Sequence, residues 1–419
     1  MSLYLGIDFG TSGARAIAID DLGEIQAAAR SHFIEGKSLA LMWRKALFTL
    51  LEQLPSEICS QIKAIALDGT SSTVLLCDRA GNSLDQPLLY NDARGVAVQT
   101  QLQEIAPPQN VVQSATSSLA KLLWWQSQGK TSQAAYFLHQ ADWLGFLLHG
   151  KLGISDYHNA LKLGYDVHNL TYPDWLRSLP SFPLLPQILP PGSPVSSLKP
   201  ELRQRFGFPN TCQVCTGTTD SIAAFNASGA TQPGEAVTSL GSTLVLKLLS
   251  HTPVDNSDCG IYSHRFGDLW LTGGASNTGG AVLKHFFSDA DLDILSQQIN
   301  PDRESPLEYY PLLSQGDRFP VNNPKLAPKL DPRPDDPVQF LHGLLESIAR
   351  IEAQGYQLLQ NLGATPLTQV YTAGGGAKNP TWAAIRQRHL QVPVAISRQV
   401  AAAYGSALLA RSSAETGYK

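Results

Sequence analysis

The chain has 419 residues, 43% of them hydrophobic and 16% charged, which is long enough for two domains with full cores and ordinary for a soluble protein. Its formal net charge of −4, with no run of Lys or Arg, excludes a nucleic-acid partner held by charge. No stretch approaches about 18 uninterrupted apolar residues and the N-terminus enters a strand pattern directly, so a cytoplasmic chain with no membrane partner is expected.

Leu3 to Phe9 reads as a strand that runs into the small-residue turn Gly10-Thr11-Ser12-Gly13 and straight back into a second strand. Such a turn leaves several backbone N–H groups and hydroxyls pointing into one space, which suits phosphate. Asp8 stands at its mouth, and an isolated carboxylate beside phosphates implies a cation between them. A helix follows from about Leu39 to Leu54, then a buried strand, Ile62 to Leu67, that ends at Asp68-Gly69-Thr70-Ser71-Ser72. Ligands of open α/β sheets collect where a strand's C-terminal end gives way to such a reversal. Thr73 to Cys77 forms another strand, closed by the turn Asp78 to Asn82.

From Ser117 to Leu148 the periodicity is helical, with Leu122, Trp125, Phe137, Trp143 and Leu147 as core candidates. Lys121 stands among them and is expected to reach out to solvent along its apolar stem. Leu179 to Pro200, rich in Pro and Ser, reads as an extended surface connection. Cys212-Gln213-Val214-Cys215 has neither a second Cys pair nor a His pair at ligand distance, so it reads as a buried strand; the 5 cysteines fit reduced thiols.

Gly217-Thr218-Thr219-Asp220 then places an acid immediately before a helix of small residues. Helix capping explains an acid there. A kinase of a small alcohol also needs one carboxylate to accept the hydroxyl proton, and Asp220 is the best-placed candidate.

A second strand-rich unit opens near Glu235 and repeats the glycine hairpin as Ser239-Leu240-Gly241-Ser242-Thr243-Leu244-Val245. Leu269 to Thr272 is a strand leading into a loop, Gly273 to Gly280, and Gly316 to Pro337 is a second, Pro- and Asp-rich loop. Asp336-Pro337 starts a helix whose apolar face carries Leu341, Leu344, Leu345, Ile348 and Ile351 and which stops near Gly363. Strand Gln369 to Thr372 runs into Gly374-Gly375-Gly376, after which Asn379 can cap a helix begun by Pro380. Three successive glycines let a flat or phosphorylated ligand approach the backbone, with helix N–H groups available to an anion. Two halves that each open on a glycine hairpin suggest a duplication. Neither hairpin is a Walker loop or a dinucleotide fingerprint.

Taken in order, these motifs resemble the FGGY family of carbohydrate kinases, in the actin, hexokinase and Hsp70 fold group. The likeness also includes Asn91-Asp92-Ala93-Arg94, Lys121-Leu122-Leu123-Trp124, Asp156-Tyr157-His158-Asn159-Ala160, Leu345-Glu346-Ser347-Ile348-Ala349 and Ala403-Tyr404-Gly405-Ser406-Ala407. It implies two α/β, ribonuclease H-like domains with a ligand cleft between them, residues 1–227 on the sugar side and 228–399 on the nucleotide side, with a last helix at about 400–419 packing back on the first. It implies ATP and Mg2+, with Asp8 near the metal and the sugar. Thr11, Ser12 and Gly13 with Gly241, Ser242 and Thr243 would surround the phosphates, and Gly374, Gly375, Gly376 and Asn379 would hold the adenosine part. The sugar would meet Asp68, Ser72, Asp92, Arg94 and Asp220, with Asp220 as catalytic base. Xylulokinases of the family usually carry Gln-Met-His in the loop occupied here by Asp68 to Ser72, which is closer to the ribulokinase type, so a D-ribulose kinase forming the 5-phosphate is expected, working as a monomer or homodimer. D-xylulose or another polyol is the alternative acceptor, and a sugar-sensing pseudokinase the alternative of another class.

Overall fold

A computed structural model describes residues 2–33 and 38–416, and the chain divides into one unit running to Ala227 and resuming at Ala401, and a second, Ser228–Val400. In the first unit β1 (Leu3–Phe9) and β2 (Gly13–Asp20) form the hairpin, with β3 (Ile25–His32) antiparallel to β2. Helix α1 (Leu39–Gln53) starts at Ser38, whose side chain accepts from the Leu41 N–H, and buries Trp43, Leu47 and Leu50 against the sheet. β4 (Ile62–Gly69) then lies parallel to β1 and carries Asp68 to the same level as Asp8. Gln213–Cys215 adds a parallel strand beyond β4, and Pro194–Ser197 an antiparallel edge.

The sheet is buried on both faces because the side chains of β1 alternate between two cores. Leu5, Ile7 and Phe9 join the α1 side, and Tyr4 joins Ile17, Ala64 and Ala66 under the helix Ala402–Thr416. That helix presents Ala403, Ala407 and Ala410 to the sheet and approaches so closely that a Cβ on Gly6 would lie 2.0 Å from the Ala403 carbonyl. Only glycine fits at Gly6. Residues 417–419 of the expected last helix lie outside the described residues.

The second unit repeats the plan. Glu235–Leu240 and Leu244–Ser250 form its hairpin, Leu269–Ser276 is antiparallel to the latter, and Gln369–Ala373 is parallel to the former. Tyr262–Phe266 and Val394–Ile396 close the two edges. Antiparallel hairpin, antiparallel neighbour and parallel return occur in the same order in both units, which is what a duplication of one unit would leave. The long helix Pro337–Asn361, capped by Asp336 through the Val338 N–H, lays Leu341, Leu344, Leu345, Ile348 and Ile351 into this core. Beneath it Arg386 grips Glu352 through Nε and an NH2 nitrogen, 2.6 and 2.7 Å, and reaches Thr372, while Glu352 also accepts from Thr238.

Several expectations need correction. Ser117 to Leu148 is not continuously helical: the helix Ser118–Ser127 ends, Tyr136–His139 is a strand paired with Val74–Cys77, and Gln140–His149 is a new helix. Phe137 is buried as expected, but on that strand. The Leu179 to Pro200 stretch contributes two short strands, Gln187–Leu189 and Pro194–Ser197, at sheet edges where Pro costs no ladder bond. Strand Leu269–Ser276 extends through Gly273 and Gly274 and shortens the loop expected there. Cys212 and Cys215 are free and buried, the latter on a strand, and burial pushes their thiols up to about 12 and about 11, away from reactive thiolate.

Candidate active site

Two neighbouring strands of the first unit put Asp8 and Asp68 side by side at their C-terminal ends. Asp68 has no exposed surface. Its Oδ2 accepts from Ser406 Oγ at 2.6 Å, and its Oδ1 is buried with no protein donor. Burial first, then the neighbouring Asp8 charge, raises the Asp68 carboxyl well above the usual carboxylate range. Asp8 is half-buried and is raised by desolvation, against the opposing pull of its bond to Asp68 and of Arg15. Two carboxyls at this separation do not both ionise readily. Of the two, the fully buried Asp68 is held well above the usual range by burial and by the Asp8 charge, so it is the more readily protonated.

The hairpin turn beyond Asp8 is closed by Gly10 N–H donating to the Gly13 carbonyl at 3.0 Å, which leaves Thr11 and Ser12 exposed. Among the described residues no cluster of three or more His, Cys, Asp or Glu could hold a metal by itself. A lone half-buried carboxylate such as Asp8 nonetheless suits magnesium, which is bound through one or two carboxylates and otherwise keeps water and phosphate oxygens.

Asp220 is the first residue of the helix Asp220–Ala227, and its Oδ1 accepts from the Ser221 N–H at 2.7 Å. That bond to the next residue is local to the helix start, and the Asp220 charge is also felt by Asp68, so Asp8, Asp68 and Asp220 act on one another electrostatically. The preceding pair Thr218–Thr219 lies beside the end of β4, in register with Asp68 and Gly69. Thr218 Oγ1 is 2.8 Å from His158 Nδ1, and Asp156 caps the turn that carries His158, accepting from the His158 and Asn159 N–H groups. The Asp156-to-Ala160 motif thus braces the approach to Asp220 from behind.

Ser72 ends the loop after β4 with φ +64°, a left-handed backbone that a side chain makes costly, and its buried hydroxyl has no partner. Its carbonyl accepts from Lys121 Nζ at 2.7 Å. Lys121 does not snorkel: it is fully buried, and its ammonium also donates to the Leu89 and Tyr90 carbonyls at 2.6 and 3.5 Å. Next along the chain Asp92 accepts from the Arg94 N–H and pairs with its Nε at 3.1 Å, while the Arg94 guanidinium lies 5.0 Å over the exposed-side ring of Trp124.

In the second unit a cavity of about 550 Å³, within the range of small-molecule sites, is lined by Gly241, Ser242, Gly375, Gly376 and Asn379 together with Trp382. Thr243 and Gly374 are not among its lining residues. The three glycines have different reasons. Gly374 has φ +85° and a Cβ there would lie 2.6 Å from the Leu240 carbonyl, and one on Gly376 would meet Trp382 at 2.6 Å; only Gly375 has open space beside it. The tight turn thus accounts for two of the three, and ligand approach has room at Gly375. Asn379 caps the helix Pro380–Leu390 through the Trp382 N–H, and its amide donates to Ser296 at 2.8 Å, so its side chain is already engaged. Sequence reasoning missed Trp382, a buried wall of this cavity whose indole nitrogen has no partner. An aromatic three residues into a capped helix beside a glycine loop was the available signal.

A paired hairpin fold repeated in two units defines the fold of the actin and hexokinase type. Residues 3–226 match the N-terminal domain and residues 236–414 the C-terminal domain of the FGGY family of carbohydrate kinases, and the chain belongs to that family. It is an ATP-dependent carbohydrate kinase. The xylulose kinase of Escherichia coli (strain K12) is 24% identical over 405 residues, spanning 91% of this chain and 83% of the relative. A solved "xyloylose kinase" from Brucella ovis superposes with a TM-score of 0.88 at 24% identity, covering 100% of this chain and 91% of the other. Glycerol kinase from Plasmodium falciparum, solved with ADP, gives 0.84 at 17% identity, covering 99% and 90%. Among the described residues no helix is long and apolar enough to cross a membrane.

Proposed function

We propose that this kinase transfers the γ-phosphoryl group of ATP to the terminal hydroxyl of a ketopentose, D-ribulose before D-xylulose, and releases ADP and the 5-phosphate. The observation that carries the reading is the acidic group of the first unit, in which Asp220 stands at a helix start beside a carboxyl pair. Asp220 accepts the hydroxyl proton as that oxygen bonds to phosphorus and the bond to the ADP oxygen breaks. Asp8 would hold magnesium, which would supply charge neutralisation on the phosphate oxygens. Each hairpin offers its own phosphate-binding turn, Thr11, Ser12 and Gly13 in the first unit and Gly241, Ser242 and Thr243 in the second. The adenosine part occupies the cavity beside Gly375 and Trp382, with Gly374, Gly376 and Asn379 shaping its wall.

D-ribulose rests on the Asp68-to-Ser72 loop. Its one buried hydroxyl without a partner, Ser72 Oγ, is available to a sugar hydroxyl, with Asp92 and Arg94 nearby along the chain as further contacts. The relatives named xylulose kinase favour the alternative acceptor. ADP release measured with D-ribulose, D-xylulose, L-ribulose, glycerol and no sugar decides between them. The reading expects kcat/KM highest for D-ribulose. A higher value for D-xylulose overturns the preference, activity with glycerol alone overturns the pentulose class, and tight ribulose binding without ADP formation leaves a sugar sensor.

A further inference from the structure

Lys121 spends every hydrogen of its ammonium inside the protein. One goes to the Ser72 carbonyl at 2.7 Å, one to Leu89 at 2.6 Å and one to Tyr90 at 3.5 Å. The first acceptor belongs to the loop after β4; the other two belong to the segment that delivers Asp92 and Arg94. At one end the two stretches are joined by the backbone pair Val74 and Leu88, which exchange hydrogen bonds of 3.0 and 2.9 Å. Beyond that pair, the Lys121 ammonium bonds both stretches from one atom. Ser72 is also the residue held at φ +64°, with a buried hydroxyl that nothing in the protein satisfies. A strained, unpartnered residue persists only where its surroundings hold it.

We propose that Lys121 is the positioning residue of the acceptor subsite, an internal clamp that fixes Ser72 and the Leu89-to-Asp92 segment in one geometry so that a polyol meets preplaced hydroxyl and carboxylate groups. This rests on the assignment of those two segments to the sugar. A buried ammonium is a costly tether, since burial pushes it down to about 7, drawn back up by Asp92 and opposed by Lys162. Stability alone gives little reason for a charge there, since an apolar side chain of the same length would fill the space. What the charge supplies is a single atom that can converge on three carbonyls.

The test uses Lys121→Met, which keeps the length and removes the donors, in the full chain. The KM for the best pentulose should rise at least about tenfold, with the KM for ATP within about twofold of wild type, a split that general loosening would not give. Hydrogen exchange at Thr70–Thr73 and Leu89–Asp92 should speed up while β1 stays protected. An unchanged sugar KM in the folded variant, or an equal rise in both KM values, overturns the proposal. If Lys121→Met does not fold, Lys121→Arg is read against the same split, because a planar guanidinium cannot converge on three acceptors from one atom. If the wild type phosphorylates no pentulose, the functional reading fails by itself, and the exchange experiment still decides whether Lys121 clamps the two segments.

Discussion

On the proposed reading, Asp220 would combine a place at a helix start with the role of the base that accepts the hydroxyl proton. Its Oδ1 takes the Ser221 N–H, and the same carboxylate lies within electrostatic reach of Asp68. Asp220→Ala should lower kcat by about 10²–10⁴-fold, the usual worth of general-base help, and leave the ADP affinity measured by calorimetry unchanged. Lys121 gives a second residue-scale prediction. Its proton leaves near pH 7 in the folded chain and near 10.5 when unfolded, so across that window the unfolded state holds more protons and stability rises with pH. The gain is lost as the pH falls back toward 7. Urea midpoints at the two ends of the window should differ more for wild type than for Lys121→Met, and equal differences would remove the assigned cause. Neither the burial of Lys121 nor the Ser406 bond to Asp68 was legible in sequence. Both depend on partners far away along the chain, 49 residues for Ser72 and 338 for Ser406.

Elements whose ends carry caps were legible. Asp336-Pro337 and Asn379-Pro380 start helices for local reasons, a side-chain acceptor for the orphan N–H groups and a proline where no hydrogen bond is lost. The four-residue strand Tyr136–His139 was not, because a short apolar run has no period of its own and its helical neighbours lend it theirs. The edge strand Pro194–Ser197 was hidden by the prolines that an edge tolerates. Two elements invite direct tests. Glu352 and Arg386 join the long helix to the helix Pro380–Leu390 by a buried ion pair, so Glu352→Ala, which strands a charge, should cost about 3–5 kcal/mol in urea unfolding. A chain ending before Ala402 should lose the cooperative unfolding of the first unit, seen as protease cleavage within β1 and β2, because Tyr4, Ile17, Ala64 and Ala66 lose their cover.

At the scale of the whole molecule, the repeated glycine hairpin announced two units of one design, and the sheet orders bear out that repetition. The unequal stocking of the two units was also legible, since the acids fall before residue 228 and the glycine triplet after it. The acidic group lies in the first, and the ligand-sized cavity described here is lined by residues of the second alone. ADP at about 100 times its Kd should stabilise the protein by about 2.7 kcal/mol. The accompanying loss of hydrogen exchange should be centred on the Gly241 turn and the Gly375-to-Trp382 stretch. Protection centred on β3 and α1 would argue against that cavity as the nucleotide site.

The helix Ala402–Thr416 closes the sheet that begins at Leu3, although the entire second unit is encoded in between. During synthesis the whole second unit is therefore translated before the helix that covers one face of the first unit's sheet exists, and until then Tyr4, Ile17, Ala64 and Ala66 lack that cover.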